Sequence, residues 1–327
     1  MSVKQEVLKT LEENRGEFFS GEELAGRLKV SRAAVWKAVK ALETMGYKIT
    51  AVPNRGYCLA AASDVLSAEG IKTFLHSNNK KEELQIEVRN VTGSTNQDAK
   101  LAAANGAPHG SVFIANEQTM GRGRRGRNFI SMPGNGIYMS IILKPLLNAS
   151  DAIYITTAAS VAVYRAIKKV TSKDTQIKWV NDLYFEGKKV CGILTEAVTN
   201  CETGLIDSII LGIGVNFNIR VEQIPADLKG IAGALYYGDT SGVSRNQLVA
   251  EILHQVLQLC MDSDNREFLN DYRENSLVLG REISILGFCE PKKAIAVGIE
   301  ENGGLIVEYE DGKKETLHTG EVSIRLT

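Results

Sequence analysis

Cysteine is scarce and scattered in this chain of 327 residues: Cys58, Cys191, Cys201, Cys260 and Cys289 are odd in number and form no C-x-x-C pair. A disulfide framework is excluded, and the five read as reduced, structural thiols of a cytoplasmic protein. Histidines number only four, and no Ser/His/Asp or Cys/His triad suggests itself among them; His109 and His318 read as ordinary surface residues. No apolar run approaches the ~20 residues that span a bilayer, so no membrane association is expected. Glu6, Glu12, Glu13 and Glu17 interrupt the N-terminal segment, which excludes a signal peptide there. Neither sign of charge prevails: the net charge is -1, and any nucleic-acid contact must come from a local patch. What is present, 44% hydrophobic and 24% charged residues, rules out a disordered, collagenous or coiled-coil chain. The length allows two or three domains of roughly 100–200 residues. There is no internal repeat and no low-complexity tract.

Residues 1–60 differ in texture from the rest. Ten Lys/Arg against seven Glu give them +3, leaving -4 for the remainder. Val7, Leu8 and Leu11 make a helical stripe. Ser20-Gly21-Glu22-Glu23 is a capping-box signature that opens a short helix through Leu28. Lys29-Val30 is a tight turn, and Ser31 caps a third helix running to about Met45, with Val35, Val39 and Leu42 on one buried face. Gly46 stops it. Tyr47–Leu59 reads as two short strands around Pro53-Asn54-Arg55-Gly56, and Ala60–Ser67 as a linker without a pattern of its own. Three short helices and a hairpin describe a winged helix-turn-helix. The helix Ser31–Thr44 would be ~21 Å long at 1.5 Å per residue, suited to a major groove ~12 Å wide. Ser31, Arg32, Lys37 and Lys40 lie off the buried stripe and, with Trp36, form the expected DNA face; Arg55 at the wing tip reaches a phosphate or the minor groove. A small interaction domain with solvated lysines is the alternative. The capped turn, the helix lengths and the basic wing together favour DNA.

From about Leu84 strands and helices mix. Strands are expected at Ile86–Val91, Ser111–Asn116, Gly136–Leu143, Ile177–Val180, Val190–Val198 and Asp207–Val215. Helices are expected after Ser94, over Asp151–Val170 and over Arg245–Met261. Glu186-Gly187 suggests a hairpin, hence antiparallel strands and an α+β class. From Arg281, short strands divided by Asn302-Gly303-Gly304 and Asp311-Gly312 have the texture of a small β-barrel of about 45 residues.

Gly121-Arg122-Gly123-Arg124-Arg125-Gly126-Arg127 is the most unusual segment. Four guanidiniums in seven residues repel one another, and three glycines leave the backbone free. Such a loop is expected to be mobile until an anion, carboxylate or phosphate, neutralises it. An RGG-like RNA-binding segment or a solvated loop has the same composition, and both stay open. Thr92-Gly93-Ser94-Thr95-Asn96 gathers hydroxyls, an amide and free N–H groups at a strand-to-helix turn, or is simply a helix cap. Lys178-Trp179-Val180-Asn181-Asp182 enters the hairpin, and Lys188-Lys189-Val190-Cys191-Gly192-Ile193-Leu194 leaves it. A lysine between an apolar strand and a glycine is either a pocketed charge or an exposed hairpin residue. Gly212-Ile213-Gly214-Val215-Asn216 lets a ligand approach a strand closely.

In this order and at these spacings the segments, together with Gln118, resemble the bifunctional biotin protein ligase/biotin-operon repressor family over nearly the whole chain. Two departures stand out: Val180 where the family usually has Pro, and Phe129 where it has Trp. Neither removes a charge. The resemblance implies domains at 1–62 (winged helix-turn-helix), 63–277 (class II synthetase-like biotin/lipoate ligase domain with a mixed sheet) and 278–327 (SH3-like β-barrel). It implies ATP and biotin as substrates with Mg²⁺, a biotin carboxyl carrier protein and biotin-operon DNA as partners, and a homodimer. Lys189, Arg122 and Arg124 would be catalytic. Ser94, Thr95, Asn96 and Gln118 would hold the ureido ring, and Gly121, Gly123, Arg125, Phe129, Trp179, Gly192, Ile193, Gly212, Gly214 and Asn216 would complete the biotin and ATP site. Asn181 and Asp182 would lie near ATP, with Asp182 on the metal. A lipoate ligase generally lacks the winged helix and the arginine loop. A ligand-binding transcription factor without catalysis would have no use for Lys189. An RNA-binding protein would need more aromatics near the loop than Phe129.

Overall fold

In a computed structural model, which describes residues 2–75, 84–134, 136–144, 152–199, 206–238, 240, 242–260, 266–286 and 291–324, serine side chains start each of the first three helices. Ser2 and Gln5 form a reciprocal capping box at α1 (Val3–Glu13). Ser20 accepts from the Glu23 N–H at α2 (Gly21–Leu28), and Ser31 from the Ala34 N–H at α3 (Arg32–Thr44). Lys29, at φ 54, ends α2 in the left-handed region, and Gly46, at φ 95, follows α3. β1 (Ile49–Val52) and β2 (Gly56–Leu59) pair antiparallel, and α4 (Ala68–Phe74) follows. The apolar positions read as stripes all turn inward: Val7, Leu8, Leu11, Val35, Val39 and Leu42 join Leu24 and Leu59 in one core.

Residues 60–67 are not the patternless linker expected. Ser63, Leu66 and Ser67 are buried. Arg15 donates to the Ala61 and Ser63 carbonyls, Lys48 N–H to Ser63 Oγ, and Asn246 to the Val65 carbonyl. The segment is held through backbone carbonyls and through the Ser63 and Asp64 side chains, isolated contacts that leave no periodicity. Contacts divide the chain into two units, Met1–Glu82 with Asp239–Glu251, and Glu83–Gly238 with Ile252–Thr327.

In the second unit, β3 (Ile86–Thr92) runs parallel to β4 (Val112–Gln118), and α5 (Thr95–Ala104) makes the crossover. β5 (Gly136–Leu143) follows, buried along its whole length, and then α6 (Ala152–Thr171). β6 (Gln176–Lys178), β7 (Asp182–Phe185), β8 (Lys188–Thr199) and β9 (Ile206–Asn216) complete a mixed seven-stranded sheet of order β3-β4-β5-β9-β8-β7-β6. All pairs except β3–β4 are antiparallel, as the Glu186-Gly187 turn implies. The expected strand Ile177–Val180 ends at Lys178, because Trp179 and Val180 turn the chain into β7. α7 (Arg245–Leu259) enters this unit at Ile252, and α8 (Phe268–Glu274) packs on α6. β10 (Glu282–Leu286), β11 (Lys292–Ile299), β12 (Leu305–Glu308), β13 (Lys314–Leu317) and β14 (Glu321–Ser323) form an all-antiparallel sheet of order β13-β12-β11-β10-β14.

The architecture is α+β: a helix-turn-helix region with a hairpin, a mixed-sheet domain and a C-terminal antiparallel sheet. Cys58, Cys191 and Cys260 are buried and free, and burial pushes the Cys260 thiol up to about 12. They are structural, as expected; Cys201, Cys289, Asp151 and Met261 lie outside the described residues. No helix among the described residues is long and apolar enough to cross a membrane.

Candidate active site

β4 delivers the chain into the arginine loop, and the loop closes on itself. Phe129 N–H donates to the Gly121 carbonyl at 2.9 Å, and Gly123 N–H to the Arg127 carbonyl at 2.7 Å. Gly121 is required there, since a Cβ would sit 2.3 Å from the Phe129 carbonyl oxygen. Arg125 itself, at φ 55, takes the left-handed turn. The loop is expected to need an anion such as a carboxylate, and the chain supplies one itself. Glu321 on β14 accepts both Arg127 amino groups, at 2.7 and 2.9 Å, and lies 3.9 Å from Arg125. One of the four positive charges is thus balanced from within, with Arg127 as the hydrogen-bonded partner and Arg125 at the edge of the pair. Arg124 turns inward and donates to Asn181 Oδ1 at 3.2 Å; burial lowers its pKa, against the pull of Asp182.

Beneath the loop, the β7–β8 hairpin presents Lys189 Nζ at 2.6 Å from Asp182 Oδ1. Lys189 is a pocketed charge and not an exposed hairpin residue. A Cβ on Gly192 would come within 3.3 Å of its Nζ. Lys178 lines the same pocket; burial lowers its pKa, Asp182 opposes this, and Lys189 adds to it. Asn181 Nδ2 donates one of its two N–H groups to the Ile193 carbonyl, and the Trp179 indole N–H, its single donor, is committed to the Gly303 carbonyl.

At the other end the lining groups apart from Arg122 are neutral, backed by one Lys100–Glu196 ion pair. Gln118 Oε1 accepts from Thr95 N–H and Oγ1, and Gln118 Nε2 donates to Ser131 Oγ at 2.9 Å. Ser140 Oγ lies 2.7 Å from Thr95 Oγ1 and 2.6 Å from Asn96 Oδ1. Asn96 Nδ2 donates to Glu196, which also holds Lys100. Ser94 precedes α5 but makes no side-chain cap bond, so the simple cap does not account for it. Gly212 and Gly214 make room: a Cβ would lie 2.2 Å from Asn96 Oδ1 at the first and 2.5 Å from the Phe129 ring at the second.

These parts line three adjoining pockets that share Arg122 and Phe129, the largest about 870 Å³. The result is one cleft with a neutral hydrogen-bonding end and a cationic end. It suits a ligand with a polar uncharged head and an anionic tail beside a second anion. Asn216 does not line it; its Nδ2 holds the Gly233 carbonyl, and Gly233 N–H in turn holds the Lys189 carbonyl. Sequence reasoning missed Lys100, Ser131, Ser140, Lys178, Glu196 and Glu321 as site residues. Two carried a signal: Lys178 opens one of the motif segments, and Ser140 is a lone serine in an otherwise apolar strand. Among the described residues no group of three or more His, Cys, Asp or Glu is placed to hold a metal.

On α3, Arg32, Trp36, Lys37 and Lys40 are exposed, as the stripe predicts. Ser31 Oγ accepts the Ala34 N–H as the helix cap and keeps its O–H donor. Arg55 stacks its guanidinium 4.1 Å from the Phe18 ring centroid. His318 is exposed, whereas His109 accepts the Lys144 N–H and is half-buried.

A mixed sheet whose cleft pairs a glycine–arginine loop with a pocketed lysine, in one chain with a helix-turn-helix, defines a ligase that also carries a DNA-binding module. Residues 88–216 match the Biotin/lipoate A/B protein ligase family, residues 3–58 an HTH domain, and residues 278–325 the Biotin protein ligase C terminal domain. The bifunctional ligase/repressor BirA of Bacillus spizizenii is 31% identical over 96% of each chain. That of Escherichia coli is 28% identical over 95% of this chain and 94% of its own. The biotin protein ligase from Aquifex aeolicus in complex with biotin and ATP superposes with a TM-score of 0.61 at 28% identity, over 74% of this chain and 99% of that one. The chain belongs to the bifunctional biotin protein ligase/repressor family.

Proposed function

We propose that the protein joins the carboxylate of biotin to the α-phosphate of ATP, releasing pyrophosphate, and passes the biotinyl group from the adenylate to a lysine of a biotin carboxyl carrier protein. One observation carries the reading: Arg122, Arg124 and Lys189 line one cleft with the neutral Thr95/Gln118 end. Attack of a carboxylate oxygen on a phosphate brings two anions together, and fixed cations lower that cost as charge moves onto the leaving pyrophosphate. Lys189 would exchange Asp182 for the biotin carboxylate. Arg122 and Arg124 would close over carboxylate and phosphate and keep water from the mixed anhydride. Ser94, Thr95, Asn96 and Gln118 would meet the ureido ring.

Asp182 is the single carboxylate that would hold Mg²⁺. One carboxylate fits an ion that takes its other ligands from nucleotide phosphates, where it would neutralise charge. The domain limits 1–62, 63–277 and 278–327, the winged form of the first, the synthetase-like core, the SH3-like barrel of the last and a cytoplasmic location complete the reading. With the adenylate bound, the protein would dimerise and place two α3 helices on a palindromic biotin operator.

Mass spectrometry of a carrier domain incubated with the protein, ATP and biotin tests the first function. One added biotinyl group is expected, and an unmodified carrier overturns the reading. Sedimentation with and without biotin plus ATP tests the second, and equal dimerisation constants would separate ligand from repression.

A further inference from the structure

α3 carries two stripes of the same spacing. Val35, Ala38, Val39 and Leu42 are buried and seat the helix. Ala33, Trp36, Lys37 and Lys40 repeat the i, i+3, i+4, i+7 pattern on the other side and are exposed. Trp36 is the large apolar member of that outer stripe, 52% exposed, whereas Val35 and Val39 on either side are fully buried. The core has no use for it. It is the fifth residue of a 13-residue helix, in the N-terminal half that a recognition helix turns toward base edges. Ala33, one turn earlier, bears only a methyl and lets the axis come close.

The surroundings decide what the ring meets. Arg32, Lys37 and Lys40 ring it with positive charge. The carboxylates nearby, Glu22 at 3.6 Å from Arg32 and Glu43 at 2.7 Å from Lys40, form exposed pairs of little strength that release their cations readily. An apolar protein pocket would suit the indole but not three cations. A polyanion with an apolar spot in its groove suits both, and in the major groove that spot is the C5-methyl of thymine.

We propose that Trp36 is a specificity-determining residue that packs on a thymine methyl in each operator half-site, while Lys37 and Lys40 take flanking phosphates. This rests on reading the first unit as a DNA-binding module.

The test uses the full-length protein with biotin and ATP. Duplexes are selected from a random library, and each thymine of the enriched sequence is then replaced singly by deoxyuridine, which removes only the methyl. One position per half-site should lose about fourfold in affinity, the worth of roughly one buried carbon. Trp36→Ala should bind thymine and uracil duplexes equally there, and Trp36→Phe should keep part of the preference. Equal affinity of the unaltered protein for every uracil duplex overturns the proposal, as does a preference that persists in Trp36→Ala. A library with no enriched sequence overturns the DNA-binding reading and this proposal with it; enrichment without a uracil effect overturns this proposal alone. Because the uracil scan uses the unaltered protein, the result does not depend on how the variants fold.

Discussion

Lys189 Nζ and Asp182 Oδ1 sit 2.6 Å apart at the base of the β7–β8 hairpin, a cation held in place by the carboxylate its anionic substrates would displace. Lys189→Ala removes the charge that stabilises the developing acyl phosphate. Adenylation, read as pyrophosphate release, should fall by about 10²–10³-fold, the cost of one preorganised electrostatic contact. Unchanged release would remove Lys189 from the mechanism.

Glu321 acts at a distance in sequence. Its pairing with Arg127 is bidentate but open to solvent, so its strength is about 1 kcal/mol or less. Glu321→Gln should raise KM for biotin and ATP by up to about fivefold, with kcat little changed. Raising the salt concentration should shrink the difference between variant and wild type. A KM independent of position 321 would show that the loop needs no internal counter-charge.

The glycines opposite the loop leave no spare volume. Gly212→Ala places a methyl 2.2 Å from Asn96 Oδ1 and must displace that side chain, at a cost of roughly 1–3 kcal/mol. Isothermal titration with biotin should show about fivefold or more weaker binding. Wild-type affinity would mean that Asn96 has room the structure denies it.

Glu196 gives the neutral end its pH dependence. Burial alone pushes its carboxyl up, but hydrogen bonds from Lys100 and Asn96 outweigh burial and hold it below the usual carboxylate range. A folded pKa below the unfolded one stabilises the fold above the unfolded value, near 4.3, and that stability is lost as pH falls through the folded value. Between pH 7 and pH 3.5, thermal unfolding should therefore move less in Glu196→Gln than in wild type. Equal shifts would show that the network is not coupled to folding.

DNA binding should weaken with salt through phosphate contacts. Lys37→Ala should lower the slope of log K against log salt by about 1.8, the loss of one neutralised phosphate in each of two half-sites, with equal effect on every sequence. A slope that does not change would place Lys37 off the backbone.

What could be read from the residues was what is local. The cap at Ser31, the stripe Val35/Val39/Leu42 and the hairpin at Glu186-Gly187 depend on neighbours a few residues away, which local patterns record, whereas the choice between a pocketed and an exposed Lys189 waited for the structure. Segment 60–67 is not legible in the same way, because Ser63, Asp64, Ser67 and its backbone carbonyls bond to residues distant in the chain, such as Lys48 and Arg245.

The sequence by itself determined the three regions, their element types and the crowding of arginine and lysine that the chemistry needs. The tertiary structure alone decided who answers those charges. Asn96 meets Glu196 across 100 residues, and Arg127 meets Glu321 across 194. It also committed the Trp179 N–H to Gly303 and set Asn216 behind Lys189. Such pairings follow from strand order and from how β14 meets the loop, and no spacing along a chain encodes a distance that only folding creates.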